Sequence, residues 1–257
     1  MAVHFSPYME RVGLQAGLTL ACAFPFAWIA SRHSRTHRWG LLLFVASLVV
    51  LDIALLEIPR LDGFRHLHWS WQESLLTSIW PFLMVSLVPT ITFACIGVAG
   101  AFHSGWLKPS IVALLAALSV PVVFFILGAR KSLDWEGWAF LLIMPGLAEE
   151  LVFRGVYQSL LNRVFGRPWR LCGAEFGWGL VITAILFAGV NGLITVDPEV
   201  HARIVFSAAI APIMLSFVSG WVRERSNSVW PSVVGHNLSN LVIPALSLLA
   251  ASHRGPA

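Results

Sequence analysis

Glu149, Glu150 and Arg154 lie in the stretch Gly146-Leu147-Ala148-Glu149-Glu150-Leu151-Val152-Phe153-Arg154-Gly155, inside a run from Trp138 to Val164 that is otherwise apolar enough to cross a bilayer. Each ionisable group at membrane depth costs roughly 2.5–3.5 kcal/mol on insertion scales, and such groups face a bundle interior or a wet cavity. At about 100° per residue, Arg154 falls about 40° round a helix from Glu150 and about 140° from Glu149. Glu150 and Arg154 are therefore an i,i+4 pair in the favourable acid-first order, and Glu149 faces another side. A carboxylate held out of water without an ion-pair partner is suited to general-base work. The structural alternative is a buried ion-pair cluster that only fixes helix register.

Two later stretches carry polar groups that suit the same chemistry. One reads Ala184-Ile185-Leu186-Phe187-Ala188-Gly189-Val190-Asn191-Gly192, the other Trp230-Pro231-Ser232-Val233-Val234-Gly235-His236-Asn237-Leu238-Ser239-Asn240. His236 and Asn240 are i,i+4, so both side chains leave one helical face, roughly 6 Å apart along the axis. An imidazole and an amide aimed one way can hold the oxyanion of a tetrahedral intermediate. A lone helix-interior histidine donating to a nearby carbonyl is the structural reading of His236.

The elements that must position these groups are membrane helices. Hydrophobic residues make up 57% of the 257 and charged residues 12%, against roughly 25% charged in a soluble domain, and mean hydropathy is +0.77. The chain reads as all-α, a polytopic membrane helix bundle of about eight transmembrane helices. Windows of about 20 apolar residues give Val12–Ala30, Gly40–Leu56, Leu75–Gly100, Leu107–Gly128, Gly137–Val164, Phe176–Val196, Ile204–Val222 and Val229–Ala251. The third contains Pro81 and Pro89, the fourth Pro121, and Pro145 precedes the two glutamates; such kinks are tolerated where neighbouring helices satisfy the freed backbone groups. Val12–Ala30 runs into Ser31-Arg32-His33-Ser34-Arg35 without a small-residue cleavage site and reads as a retained signal anchor. No internal repeat or low-complexity tract is visible.

Twelve tryptophans, among them Trp39, Trp69, Trp71, Trp106, Trp135, Trp169 and Trp230 near segment ends, fit an interfacial aromatic belt. The formal charge of +4 needs no nucleic-acid partner and fits a positive-inside excess. Arg32, Arg35 and Arg38, then Arg163, Arg167 and Arg170, then Arg223 and Arg225 assign three loops to the cytoplasm and both termini to the far side, although Arg60, Arg65, Arg130 and Lys131 oppose that bias. Arg60 to Gln72 reads either as a short interfacial helix or as an aromatic-rich loop. Asp52 is the one acid inside the second span, a functional group or a satisfied one. Cys22, Cys95 and Cys172 have no short spacing and read as small hydrophobes, with neither a disulfide framework nor a metal site.

The set Glu-Glu-x-x-x-Arg, then Phe with a polar residue four positions on, then His-x-x-x-Asn, each within its own span, resembles the CPBP family. That family comprises type II CAAX prenyl endopeptidases and bacteriocin-processing or immunity proteins, also called the Abi family. The resemblance covers residues 137–251, a catalytic core of four spans; residues 1–136, four N-terminal spans, carry no motif. It implies an intramembrane endopeptidase with a glutamate-activated water: Glu149 as base, Glu150 and Arg154 as its supporting pair, His236 and Asn240 as oxyanion donors. No cofactor or metal is implied. The implied partners are the lipid bilayer and a membrane-anchored protein or peptide, cleaved near a membrane-embedded or lipidated tail. One position departs from the family: Asn191 stands where the family has histidine. Asn can hydrogen-bond a water but cannot exchange a proton near neutral pH. His201, ten residues on, is a candidate substitute.

Three other functions compete. A non-catalytic immunity or scaffolding member of the family is favoured by Asn191. A zinc hydrolase lacks His-Glu-x-x-His and has only His236 deep in a matching span. A proton-coupled transporter using both glutamates lacks a repeat between its halves. Short loops and the absence of a eukaryotic retention signal point to a bacterial inner membrane.

Overall fold

The computed structural model describes residues 5–33, 39–58, 69–88, 91–197 and 199–252. Its helices are α1 (Phe5–His33), α2 (Trp39–Glu57), α3 (Trp69–Leu87), α4 (Leu107–Ile126), α5 (Trp135–Glu150), α6 (Gln158–Phe165), α7 (Trp178–Ala188), α8 (Phe206–Ser226) and α9 (Trp230–Ser252). A π-helical turn, Leu151–Tyr157, joins α5 to α6 without a break, and a second, Gly189–Leu193, ends α7. Two antiparallel hairpins, β1 (Trp169–Leu171) with β2 (Ala174–Phe176) and β3 (Ile194–Val196) with β4 (Ala202–Ile204), connect helices.

Hydrocarbon offers no partner to backbone N–H and C=O groups, so spanning segments close their own hydrogen bonds as helices. Five helices among the described residues are long and apolar enough to cross a membrane: Tyr8–Arg32, Trp39–Glu57, Leu107–Ile126, Phe206–Ser226 and Trp230–Ser252. Large apolar side chains such as Leu43, Val112, Leu115 and Ile126 face outward, as lipid-facing residues do. The protein is a multi-pass, all-α membrane bundle. Its centre is the helix running through α5, the π turn and α6, which packs against α3, α7 and α9. Helix α1 lies against α2 and α7, and one apolar cluster joins Val12, Ala16, Leu48 and Ile53 to Val152, Phe153, Leu160 and Phe187.

Two expected spans are shorter than their apolar windows. The third, Leu75–Gly100, stays helical only to Leu87, and Ile91 to Trp106 is irregular although Ile91 and Ile96 are buried. The Cys95 carbonyl there accepts from Ser159 Oγ at 2.9 Å and Arg223 Nη2 at 3.1 Å, so side chains supply what a helix would have supplied internally. The sixth, Phe176–Val196, unwinds after Ala188. Gly192 has φ 153°, and a Cβ on it would meet the Ala208 carbonyl oxygen at 2.7 Å, a backbone position open only to glycine. Pro145 leaves the fifth span unbroken. Residues 60–68 of the expected interfacial stretch, Arg35, Arg38 and Pro89 lie outside the described residues; Trp69 to Gln72 open α3.

Candidate active site

Helix α5 starts cleanly because the Asp134 carboxylate caps it, accepting from Gly137 N–H at 2.8 Å. Near its other end Pro145 removes a helical N–H and crowds the preceding turn. Asn237 on α9 bonds the backbone on either side of the proline. Its Oδ1 accepts from Gly146 N–H at 2.7 Å and its Nδ2 donates to the Ile143 carbonyl at 3.2 Å. A Cβ on Gly146 would meet the Val233 carbonyl oxygen at 2.5 Å, so glycine there lets the two backbones close up. That contact sets Glu149 and Glu150 opposite His236, the neighbour of Asn237.

The two glutamates then part. Glu150 is buried and fully engaged: Arg154 Nε–H donates to Oε2 at 3.0 Å and His236 Nδ1 lies 2.9 Å from Oε1. Arg154, itself buried, also donates from Nη2 to Ser216 Oγ at 2.8 Å and stands 5.1 Å over the Phe187 ring. Phe187 meets the His236 ring edge to face at 6.0 Å. With Nδ1–H given to the Glu150 carboxylate, the other ring nitrogen is directed at Glu149: His236 Nε2 is 4.0 Å from Glu149 Oε2. Asn191 Nδ2 donates to the same Oε2 at 3.3 Å and to the Phe187 carbonyl at 3.2 Å. The π turn and the unwound backbone at Asn191 (φ −104°, ψ 21°) bring that side chain round to Glu149.

Glu149 opens on a cavity of about 310 Å3 whose wall also includes Asn191, Arg11, Gln15, Asp52 and Glu57. The Glu149 side chain keeps 31% of its exposure, against 1% for Glu150. Arg11 Nη2 pairs with Glu57 Oε2 at 2.9 Å. Asp52 is buried and accepts from Trp80 Nε1–H at 3.1 Å. Among the described residues no group of three or more His, Cys, Asp or Glu side chains is arranged to hold a metal ion, and the three cysteines are free.

Glu149, Glu150, Arg154, Asn191 and His236 thus meet in one constellation. Asn240, one turn beyond His236, is half-buried and takes no part in the hydrogen bonds described among these residues. His201 is 67% exposed in the β3–β4 hairpin, 3.3 Å from Asp197 Oδ2, and is not among the residues lining the cavity. The backbone N–H of His201 is the main cause holding the Asp197 carboxyl below its ordinary range. Asn237, Ser216 and the α1 and α2 residues of the cavity wall were not singled out from sequence, apart from Asp52. Pro145-Gly146 facing a helix that carries two amides was the one local signal for Asn237.

A scan against known families matches residues 131–242 to the family described as Type II CAAX prenyl endopeptidase Rce1-like. That stretch runs from just before α5 into α9 and contains every member of the constellation, together with Asn240. No curated protein and no solved structure matches the chain. Through residues 131–242 the chain is thus similar to the Rce1-like type II CAAX prenyl endopeptidases.

Proposed function

We propose that the protein is an intramembrane endopeptidase that cleaves a peptide bond near the membrane-embedded or lipidated tail of a substrate protein, with Glu149 activating water. The observation that carries this reading is the asymmetry of the two glutamates: Glu150 is consumed by Arg154 and His236, while Glu149 faces a cavity with Asn191 at 3.3 Å and His236 at 4.0 Å. A water hydrogen-bonded to Glu149 and Asn191 gives its proton to Glu149 as its oxygen attacks the scissile carbonyl. The oxyanion takes a hydrogen bond from His236 Nε2–H in the imidazolium form, which the Glu150 carboxylate on Nδ1 supports; Asn240 is the proposed second donor. Collapse of the intermediate breaks the C–N bond, and the proton held by Glu149 goes to the leaving amine. The proposed residues need no cofactor, and the proposed setting is a bacterial inner membrane.

The family's name nominates a prenylated C-terminal tail as the first probe. The experiment is cleavage of a short S-farnesylated CAAX-type peptide by the full chain in proteoliposomes, with wild type, Glu149→Gln, and added chelator. Cleavage that disappears with Glu149→Gln and survives chelator supports the reading. Cleavage that survives Glu149→Gln overturns the glutamate role, and cleavage lost to chelator replaces it with a metal mechanism.

A second reading has its own observation. Asn191 holds Glu149 with an amide that cannot exchange protons near neutral pH, as would suit a non-catalytic immunity or scaffolding protein. On that reading wild type cleaves no tail, and Glu149→Gln leaves the biological effect intact.

A further inference from the structure

We propose that the outer edge of β3 is the substrate-binding edge, which takes a peptide segment in extended conformation, backbone to backbone, and delivers it to Glu149. The proposal rests on the endopeptidase reading above and adds how that site holds its substrate.

Strand β3 pairs with β4 in the register Ile194↔Ile204, Thr195↔Arg203, Val196↔Ala202. Val205 N–H donates to the Leu193 carbonyl at 2.7 Å and Asp197 N–H to the His201 carbonyl at 3.1 Å. Hydrogen-bonded and non-hydrogen-bonded positions alternate along an antiparallel pair. Leu193, Thr195 and Asp197 therefore direct their backbone groups at β4, and Ile194 and Val196 direct theirs away from it. Ile194, Thr195 and Val196 all line the same space as Glu149 and Asn191. Directly against this edge, Gln15 on α1 donates Nε2–H to the Ile194 carbonyl at 3.2 Å. A carboxamide, chemically a peptide group, already stands at the edge where a substrate amide would pair.

The occupant must be extended. A helical segment has spent its amides internally, and its carbonyls are shielded from a nucleophile. Unwinding it in a membrane strands N–H and C=O groups at several kcal/mol each. The outward edge of β3 supplies partners for that row of groups, at Val196 directly and at the Ile194 carbonyl once Gln15 gives it up. Strand β3 begins three residues after Asn191, so a peptide laid along it leads into the space beside Glu149. Recognition through backbone has a signature: only every second substrate amide points at β3, so sensitivity must alternate along the peptide.

The test methylates each backbone nitrogen of the farnesylated peptide in turn and measures KM and kcat with the full chain in proteoliposomes. Methylation at positions i and i+2 should raise KM about tenfold, with little change between them, since one lost hydrogen bond of this kind corresponds to about that factor. Val196→Pro removes an outward N–H and leaves the β4 ladder whole; it should raise KM at nearly unchanged melting temperature. Hydrogen exchange at the Val196 amide in Glu149→Gln protein, with and without the unmodified peptide, reads binding without turnover and should slow on addition. Turnover with neither alternation nor Val196 protection overturns the edge and leaves the endopeptidase reading standing. Protection without wild-type turnover keeps the edge and overturns catalysis. Absence of both overturns both.

Discussion

Glu224 and Glu149 are two carboxylates in the interior of one bundle, and their surroundings differ in a way that separates framework from chemistry. Glu224 on α8 is buried with both oxygens taken. Oε1 accepts from Gln158 Nε2 at 2.6 Å and Asn162 Nδ2 at 2.7 Å, and Oε2 from Arg167 Nε at 2.7 Å. Gln158 Nε2 also reaches the Gly220 carbonyl at 3.0 Å, so the knot ties α6 to α8. Glu149 has one amide and one imidazole near a single oxygen, and a cavity in front of it. A saturated carboxylate has no capacity left for a reacting proton. An unsaturated one beside a space for substrate has, and its cost must be carried by a saturated neighbour such as Glu150, whose two oxygens are held by Arg154 and His236.

The comparison breaks if the two acids respond alike to loss of charge. Glu149→Gln should show the largest effect: a fall in cleavage of about 10²–10⁴-fold, the usual contribution of a positioned general base. Expression and melting temperature should stay near wild type, because Gln keeps the volume of the side chain and its nearest cationic neighbour, His236, is 4.0 Å away. Arg154→Ala comes next and should act on folding, since it takes from buried Glu150 its permanent counter-charge, and breaking a buried pair costs roughly 3–5 kcal/mol. Little folded protein should survive detergent extraction, and a thermal-melt series on both variants reads the difference. Similar melting curves for the two would erase the division of labour between the glutamates.

Glu224→Gln should be milder and should leave kinetics alone. The Gln side chain keeps one acceptor for Gln158 and Asn162 and turns a donor toward Arg167, a mismatch worth about 1–3 kcal/mol in a buried site. The variant should melt lower, and its folded fraction should keep wild-type KM and kcat. A changed kcat at full occupancy would mean that the knot sets the geometry of Glu149.

Helical period and hydropathy were enough to separate Glu149 from Glu150, because i,i+4 spacing is a property of the chain alone. They could not reveal where helices stop. Ile91 to Ala99 and Leu193 to Val196 are as apolar as any span, and an apolar run does not distinguish helix from buried strand or irregular backbone. Gly189 and Gly192, flanking Asn191, were the signal that the sixth span unwinds. Gln15, which reaches Gly189 and Ile194 across more than 170 residues of sequence, had no local signal at all. Nor did the Arg11–Glu57 pair of the cavity wall. The face shared by His236 and Asn240 was legible, yet its hydrogen bonds to the α5 helix come from His236 and from Asn237, the residue between, which bonds the backbone on either side of Pro145.

Asn191→His should have the smallest effect and the most selective one. In the present site the Asn191 amide donates to Glu149 and to the Phe187 carbonyl, so it can orient water but not carry a proton. An imidazole at that position adds a group titrating near its ordinary value of about 6.5. If Glu149 already completes the proton path by itself, cleavage should change less than about tenfold in either direction. The pH profile should gain one further limb near neutrality, with the histidine acting as acceptor only above its pKa and as charged donor below it. The measurement is kcat/KM against pH for both proteins on the farnesylated peptide. A large gain of activity over a wild type that cleaves nothing would instead mean that Asn191 disarms the site, and would move the protein to the non-catalytic side of its family.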